Sequence, residues 1–333
     1  MPRDLSLAEL FQLGYYWETK ILLTAVKLDV FSTLNGAALA ADDLARATGA
    51  DSRALELLLN ALVAIGVLTK DDERYTDTEV ARAHLVRTAP SYVGHLLLLH
   101  EAEWKQWGLL EEIVRTGRSP VRGHVFENDP GLGANVLTVL DRIGQQSGPA
   151  LAKRLDLGKA RAFLDLGGGA GTNAIACCKA YPQLRATVFD LPQTLEITSR
   201  VVKEAGVEDR VALLPGDFNR DSLGGPYDAI LMSDILHYQD DQTNAALVDK
   251  CFGHLNAGGR LVVKDRFLDE SGTSPAWVTA FAVHILVNTE HGRCYKVREV
   301  MDWMSKAGYG SVAELEGSAV VQGVKPVEGG WAQ

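Results

Sequence analysis

The chain has 333 residues, 47% hydrophobic and 23% charged, and its 33 basic and 43 acidic side chains leave a net charge of −10. That composition excludes a disordered, collagen-like or disulfide-stapled protein, and the length suits roughly two domains of about 150 residues. The acidic excess argues against a surface that gathers phosphates, so no nucleic-acid partner is expected. No apolar run reaches the roughly 18 residues of a membrane helix. The start, Met1 to Ser6, lacks the basic-then-apolar layout of a signal peptide. Cys177, Cys178, Cys251 and Cys294 form neither a CxxC pair nor a zinc spacing. Reduced thiols, no metal and a cytoplasmic setting follow as expectations.

From Leu7 to about Leu34, apolar residues recur at helical spacing: Leu10, Leu13, Tyr16, Trp17, Ile21, Leu22, Ala25, Leu28 and Phe31. The stripe is too wide for one partner helix, and a dimer partner would supply part of its burial. Between about 39 and 87, Asp42-Asp43 open a short helix that stops at Gly49. Asp51-Ser52 cap a second helix through Leu55, Leu58, Leu59, Leu62 and Ile65, ending at Gly66. A charged turn at Lys70–Arg74 then reads as a small hairpin. This is the layout of a winged helix. Residues 37–87 carry nine acidic against six basic side chains, and the second helix offers only Arg53 and Asn60 to a base edge. The electrostatics favour a packing or dimerisation module over a DNA reader. Residues about 90 to 155 read as mostly helical, with a turn-rich interruption from Gly117 to Pro130. Trp104, Trp107 and Phe126 are candidates there for the wall of an apolar substrate pocket.

From Arg161 onward short apolar runs alternate with helical segments, as in a parallel α/β sheet. Strand candidates are Ala162–Leu166, Ala186–Asp190, Val211–Leu214, Tyr227–Met232 and Gly259–Lys264. The polar groups lie just beyond their carboxyl ends, where open α/β sheets bind ligands: the loop from Gly167 to Asn173, then Asp190, Asp217-Phe218, Ser233 to His237, and Asp265. Glycines at 167, 169 and 171 allow a ligand to approach bare backbone, and the helix that follows presents free N–H groups. Asp190, about 20 residues on, suits ribose hydroxyls. Two nucleoside cofactors compete. Gly169-x-Gly171-x-x-Ala174 formally satisfies a nicotinamide pattern, while Asp165 through Gly171 spells D-x-G-x-G-x-G, the form associated with S-adenosylmethionine.

Taken in order, "ILLTAVKLDVFSTL", the winged helix, "FLDLGGGAGT", "VFDLP", "GDF", "YDAILMSDILHYQDD", "LNAGGRLVVKD" and "MSKAGY" resemble the class I S-adenosylmethionine-dependent small-molecule O-methyltransferases of the caffeate and acetylserotonin type. The resemblance implies an α/β protein with three parts: a helical winged-helix dimerisation domain over 1–100, a helical linker contributing to the substrate pocket over 101–155, and a Rossmann-like S-adenosylmethionine-binding catalytic domain over 156–333. It implies a homodimer acting on a hydroxyl of a small aromatic or conjugated acceptor. Cofactor contacts carry over to Asp165, Gly167, Gly169, Asp190, Leu191, Asp217, Phe218 and Ser233, and the general base to His237. Asp265 stands for the acid that orients the base. The second acid falls at Cys294, with Glu290 and His291 a few residues earlier as its substitutes. The pocket expectation comprises Trp104, Trp107, Phe126, Tyr238, Phe281, His284 and Asn288. The chain also departs from the family: the base lies in His237-Tyr238-Gln239 where His-Asp-Trp is usual, and Ser233 stands where Lys is frequent. These features, with His284 and "VVQGVKP", are similar to the bacteriochlorophyllide methyltransferases, which makes ring-carbon methylation, or a non-methylating use of the cofactor, the alternative expectation.

Overall fold

The computed structural model describes residues 4–121, 128–315 and 319–327. It separates into two compact units, one ending at Lys105 and the other beginning at Gln106.

In the N-terminal unit the apolar stretch after Leu7 forms three helices: α1 (Leu7–Leu13), α2 (Trp17–Lys27) and α3 (Val30–Leu34). Ser6 and Glu9 make a capping box that starts α1, Gly14 closes it, and Asp29, left-handed at φ 58°, separates α2 from α3. Burial on several sides does not extend to α1, which buries nothing. Among the described residues its large apolar groups stay exposed, and burial starts in α2 at Leu23, Ala25 and Val26. The winged-helix layout is present as β1 (Leu39–Ala40), α4 (Ala41–Thr48), α5 (Ser52–Ile65), β2 (Leu68–Asp71) and β3 (Arg74–Asp77), with strand order β1-β3-β2. Asp51 accepts from Ala54 N–H (2.8 Å) at the start of α5, and Gly66, left-handed, ends it. Leu44, Leu59, Leu62 and Tyr75 fill the core. Asn60 is occupied by the Tyr75 hydroxyl (2.8 Å). Helices α6 (Glu79–His84) and α7 (Gly94–Ala102) follow, and Glu101 of α7 accepts from Lys20 (2.6 Å) and Lys27 (3.2 Å) of α2. A single helical turn, α8 (Trp104–Trp107), spans the boundary between the units.

The C-terminal unit begins with α9 (Leu110–Thr116) and the long α10 (Pro130–Leu155). It then alternates β4 (Ala162–Leu166), α11 (Thr172–Ala180), β5 (Arg185–Asp190), α12 (Pro192–Glu204), β6 (Val211–Pro215), β7 (Tyr227–Ser233), α13 (Asp241–Gly253) and β8 (Leu255–Lys264). Helices α14 (Ala276–Asn288) and α15 (Val297–Lys306) lead to the closing pair β9 (Gly310–Glu314) and β10 (Val320–Val324). The seven strands lie in the order β6-β5-β4-β7-β8-β10-β9; β4 to β8 are parallel and β10 runs antiparallel to both neighbours. The near-continuous apolar runs of β4 and β7 are buried, as a sheet covered on both faces requires. Chain order reverses at β4, which pairs with β5 on one side and β7 on the other. That switch point opens a crevice at the carboxyl ends of the strands. Helix α10 is tied to the crevice: Asp141 accepts from the hydroxyl of Thr172 (2.6 Å), the first residue of α11. Among the described residues no helix is long and apolar enough to cross a membrane.

Candidate active site

The glycine loop between β4 and α11 is built on a buried carboxylate. Gly167, Gly169 and Gly171 all have positive φ (66°, 55° and 82°). A Cβ on Gly168 would come within 2.8 Å of Asp165 Cγ, so the loop lies directly against that side chain. Asp165 Oδ2 accepts from Ala174 N–H (3.0 Å), while Oδ1 is buried, makes no hydrogen bond of good geometry, and has the Asn173 side chain as its weak neighbouring donor. Burial, helped by the Asp190 charge and opposed by the Ala174 N–H and the Asn173 side chain, pushes the Asp165 carboxyl up to about 7. Asp190 at the end of β5 accepts from Gly169 N–H (2.8 Å) and Leu191 N–H (2.7 Å), and burial raises its pKa as well. Phe218 follows β6 and stands 3.5 Å from where a Cβ on Gly167 would lie. Asp217 accepts from Asn219 N–H (2.9 Å) and pairs with Arg220 (3.4 Å). Loop, acids and ring thus gather at one crevice. An unpaired buried carboxylate oxygen under a side-chain-free loop complements a cationic nucleoside, so the residues present fit S-adenosylmethionine.

The second half of the crevice is made by β7 and β8. Asp234, left-handed at φ 60°, turns the chain out of β7 into a 3-10 turn, Leu236–Tyr238. Its carboxylate accepts from Ser233 (2.9 Å), Lys264 (2.5 Å) and Arg266 (2.5 Å). Its pKa is lowered: the two cations outweigh an opposing burial effect. His237 is 1% exposed, and its Nδ1 donates to Asp265 Oδ1 at 2.6 Å. A carboxylate only accepts, so the proton sits on Nδ1 and the Nε2 lone pair is left for a proton from elsewhere. Asp265 is held in turn by the N–H groups of Leu236 (3.0 Å) and Arg266 (2.7 Å). The buried Asn244 of α13 donates to the Leu236 carbonyl (2.9 Å) and accepts from Gln239 (3.0 Å). Gln239, standing where the resemblance has Trp, is also held by Asn219 (2.6 Å) and the Tyr295 hydroxyl (2.5 Å).

An aromatic row on α14 borders the imidazole. Phe281 meets His237 edge to face at 5.1 Å, and the Tyr238 ring lies 4.3 Å from the imidazole, tilted. Phe281 stacks on Trp277 (5.2 Å) and His284 (5.6 Å), and His284 lies 6.3 Å from Trp107. Asn288 bonds back to His284 (3.2 Å). The structure therefore brings His237, Asp265, Tyr238, Phe281, His284, Asn288 and Trp107 into one neighbourhood. Trp104 belongs to the N-terminal unit, where Lys20 sits over its ring at 4.5 Å. Phe126 lies outside the described residues. Glu290 is exposed and pairs with His291 at 3.7 Å; the carboxylate on His237 Nδ1 is Asp265. Cys294 is buried, and its thiol is pushed up to about 11 by burial first and the Asp265 charge second.

Sequence reasoning passed over Trp277, Arg266, Asn244 and Gly292. The last has a plain steric signal. A Cβ on Gly292 would lie 2.2 Å from the His237 carbonyl oxygen, so only glycine lets this loop close over the base.

A seven-stranded sheet of this order, with a glycine loop, a strand-end acid and a buried imidazole beyond the carboxyl ends of its strands, has the layout in which open α/β sheets bind ligands. Residues 116–310 match the O-methyltransferase domain model and residues 11–87 the O-methyltransferase dimerisation domain model, and the chain belongs to that S-adenosylmethionine-dependent family. It is 33% identical to the tetracenomycin polyketide synthesis 8-O-methyl transferase TcmO of Streptomyces glaucescens, over 89% of each chain. It is 31% identical to the 3-hydroxy-5-methyl-1-naphthoate 3-O-methyltransferase of Streptomyces sahachiroi, over 93% of this chain and 92% of that one. A more distant relative, 26% identical over 86% of this chain and 82% of its own, is the L-tyrosine C(3)-methyltransferase of Streptomyces lavendulae. In fold, human N-acetylserotonin methyltransferase in complex with SAM superposes with a TM-score of 0.83 at 23% identity, over 98% of this chain and all of that one.

Two predictions follow from this geometry. The cofactor is a cation and favours ionised Asp165, so its affinity, measured by calorimetry, should climb as pH rises from 6 and level off above about 7, with proton release from Asp165 on binding below that point. A flat affinity profile would remove Asp165 from the cofactor's cationic end. Gly292→Ala should lower the melting temperature and lower turnover about tenfold or more, with cofactor binding close to wild type, because its Cβ meets the His237 carbonyl oxygen and Thr289 and displaces the backbone that carries the base. Wild-type turnover in a folded Gly292→Ala protein would contradict this.

Proposed function

We propose that the chain is a homodimeric, cytoplasmic O-methyltransferase that methylates a phenolic hydroxyl of a small aromatic acceptor, with His237 as general base. The single observation that carries the chemistry is the buried Nδ1–Asp265 hydrogen bond at 2.6 Å. It fixes one tautomer and ring orientation, so that Nε2 accepts the acceptor's hydroxyl proton. When bound, S-adenosylmethionine supplies an activated methyl group. Asp165, Asp190, Leu191 and Phe218 hold the cofactor's polar and aromatic parts; Asp217 and Ser233 complete the strand-end set. Asp265, hydrogen-bonded to Nδ1, holds the ring in place while Nε2 takes the proton. Phe281, Tyr238, His284 and Trp107 form an aromatic surface beside the base, which suits a flat acceptor. Two relatives above 30% identity, one an O-methyl transferase of polyketide synthesis and one acting on a hydroxynaphthoate, support an aromatic hydroxyl. Four free, buried cysteines fit a reducing compartment.

The C-terminal unit would carry the reaction and the N-terminal unit the dimer contact. Leu7, Leu10, Phe11, Leu13 and Trp17 are 57–68% exposed, an apolar patch of the kind that marks a protein interface.

His237→Ala should retain cofactor affinity and lower turnover by about 10²-fold or more. Unchanged turnover would take His237 out of the role of base. For the assembly, sedimentation should give a dimer for the wild-type chain and a monomer for the Leu10→Glu, Leu13→Glu double variant, since two buried charges leave the interface without partners. A wild-type monomer would defeat the reading.

A further inference from the structure

Arg266 follows the dyad acid directly and is not used by the proton transfer described above. Its backbone N–H donates to Asp265 Oδ1 (2.7 Å), and its guanidinium is clamped from two directions. One nitrogen donates to Asp234 (2.5 Å). The plane lies over Phe281 (4.7 Å to the ring centre) and Trp277 (5.4 Å), rings that are themselves nearly parallel at 11°. Neutralising Asp234 does not require this arginine, because Lys264 already donates to the same carboxylate at 2.5 Å. Two cations therefore share one anion, and the arginine side chain is 32% exposed. Among the described residues Asp234 is the guanidinium's only hydrogen-bond acceptor, which leaves most of its five N–H donors for a ligand. The same Phe281 ring touches His237 at 5.1 Å, so imidazole and guanidinium lie no farther apart than the sum of two ring contacts. One aromatic acceptor with a hydroxyl at one end and an anion at the other spans that interval.

We propose that Arg266 is a specificity residue: its guanidinium receives the carboxylate of an aromatic hydroxy acid whose hydroxyl faces His237. A planar fork matches a carboxylate in a way that an ammonium does not. Holding the fork on two rings and Asp234 before the ligand arrives reduces the ordering cost of binding. The proposal rests on the aromatic O-methyltransferase reading and adds the charge of the acceptor to it.

The test uses the full chain saturated with S-adenosylhomocysteine, titrated calorimetrically with 4-hydroxybenzoate and 6-hydroxy-2-naphthoate, each beside its methyl ester. At least one acid should bind about tenfold or more tightly than its ester, the size of one charge-assisted hydrogen-bonded contact. Arg266→Met should bring that ratio to about one, and Arg266→Lys should fall between. The lysine variant keeps the charge without the fork and serves alone if the methionine variant does not fold. Equal binding of every acid and ester, or a preference that survives both substitutions, overturns the proposal. Methyl transfer is read separately with S-adenosylmethionine. Product without an acid preference sinks this inference alone, whereas an acid preference without product sinks the O-methylation reading.

Discussion

The site depends on one hydrogen bond that crosses from the end of one strand to the end of its neighbour. Asp265 and His237 follow β8 and β7, whose parallel register pairs Ser233 with Lys264. Both side chains are almost fully buried, where a lone carboxylate would be costly. Asp265 escapes that cost by accepting three N–H groups, from His237, Leu236 and Arg266. Two of those donors are backbone atoms of the turns that carry the dyad. Position of the base and charge of the acid are thus secured by the same contacts, and a slip of β7 against β8 would undo both.

Asp165 presents the opposite case. It has one well-formed backbone donor and an oxygen with no hydrogen bond of good geometry, and its carboxyl is pushed up to about 7. A group whose folded pKa is raised favours the folded state below the ordinary carboxylate range and loses that contribution as pH rises through the folded value. At neutral pH the cofactor-free fold carries this strain, and a bound cation offsets it. Deeply apolar surroundings make the carboxylate an effective cation receptor for the same reason that they make it costly. The glycine loop allows the approach: any side chain at 168 would meet Asp165 before a ligand could.

Much of this was legible in the chain itself because it follows local rules. The strand at Ala162–Leu166 was readable to the residue, and the other parallel strands to within a few positions, since buried parallel strands are short apolar runs between helices. The caps at Asp51 and Gly66 marked α5 correctly. What escaped was non-local. Helical spacing runs unbroken through Gly14 and Asp29, so periodicity alone could not show three helices or the exposure of α1. Glu290 was readable as an acid near the second-acid position, yet the fold leaves it on the surface. Arg266 and Trp277 carry no motif, and their relation to Phe281 exists only once α14 lies beside the end of β8.

Cys294 shows how a departure from the family pattern is absorbed. The resemblance places a second acid there, which would share the orientation of the base. A thiol held near 11 by burial and by Asp265 stays neutral at physiological pH, so it contributes no charge. Ordering of the imidazole then rests on Asp265 alone for electrostatics and on packing for the rest. The packing is present: Gly292, two residues earlier, lies against the His237 carbonyl, and Gly292 N–H donates to Thr289 (2.9 Å), which bonds back to α14 through Ile285 (2.8 Å). Phe281, on that same helix, meets the imidazole directly. A charged contact has been exchanged for a steric one. Steric contacts neither titrate nor depend on salt, so this packing supports the Asp265 hydrogen bond without adding a charge of its own.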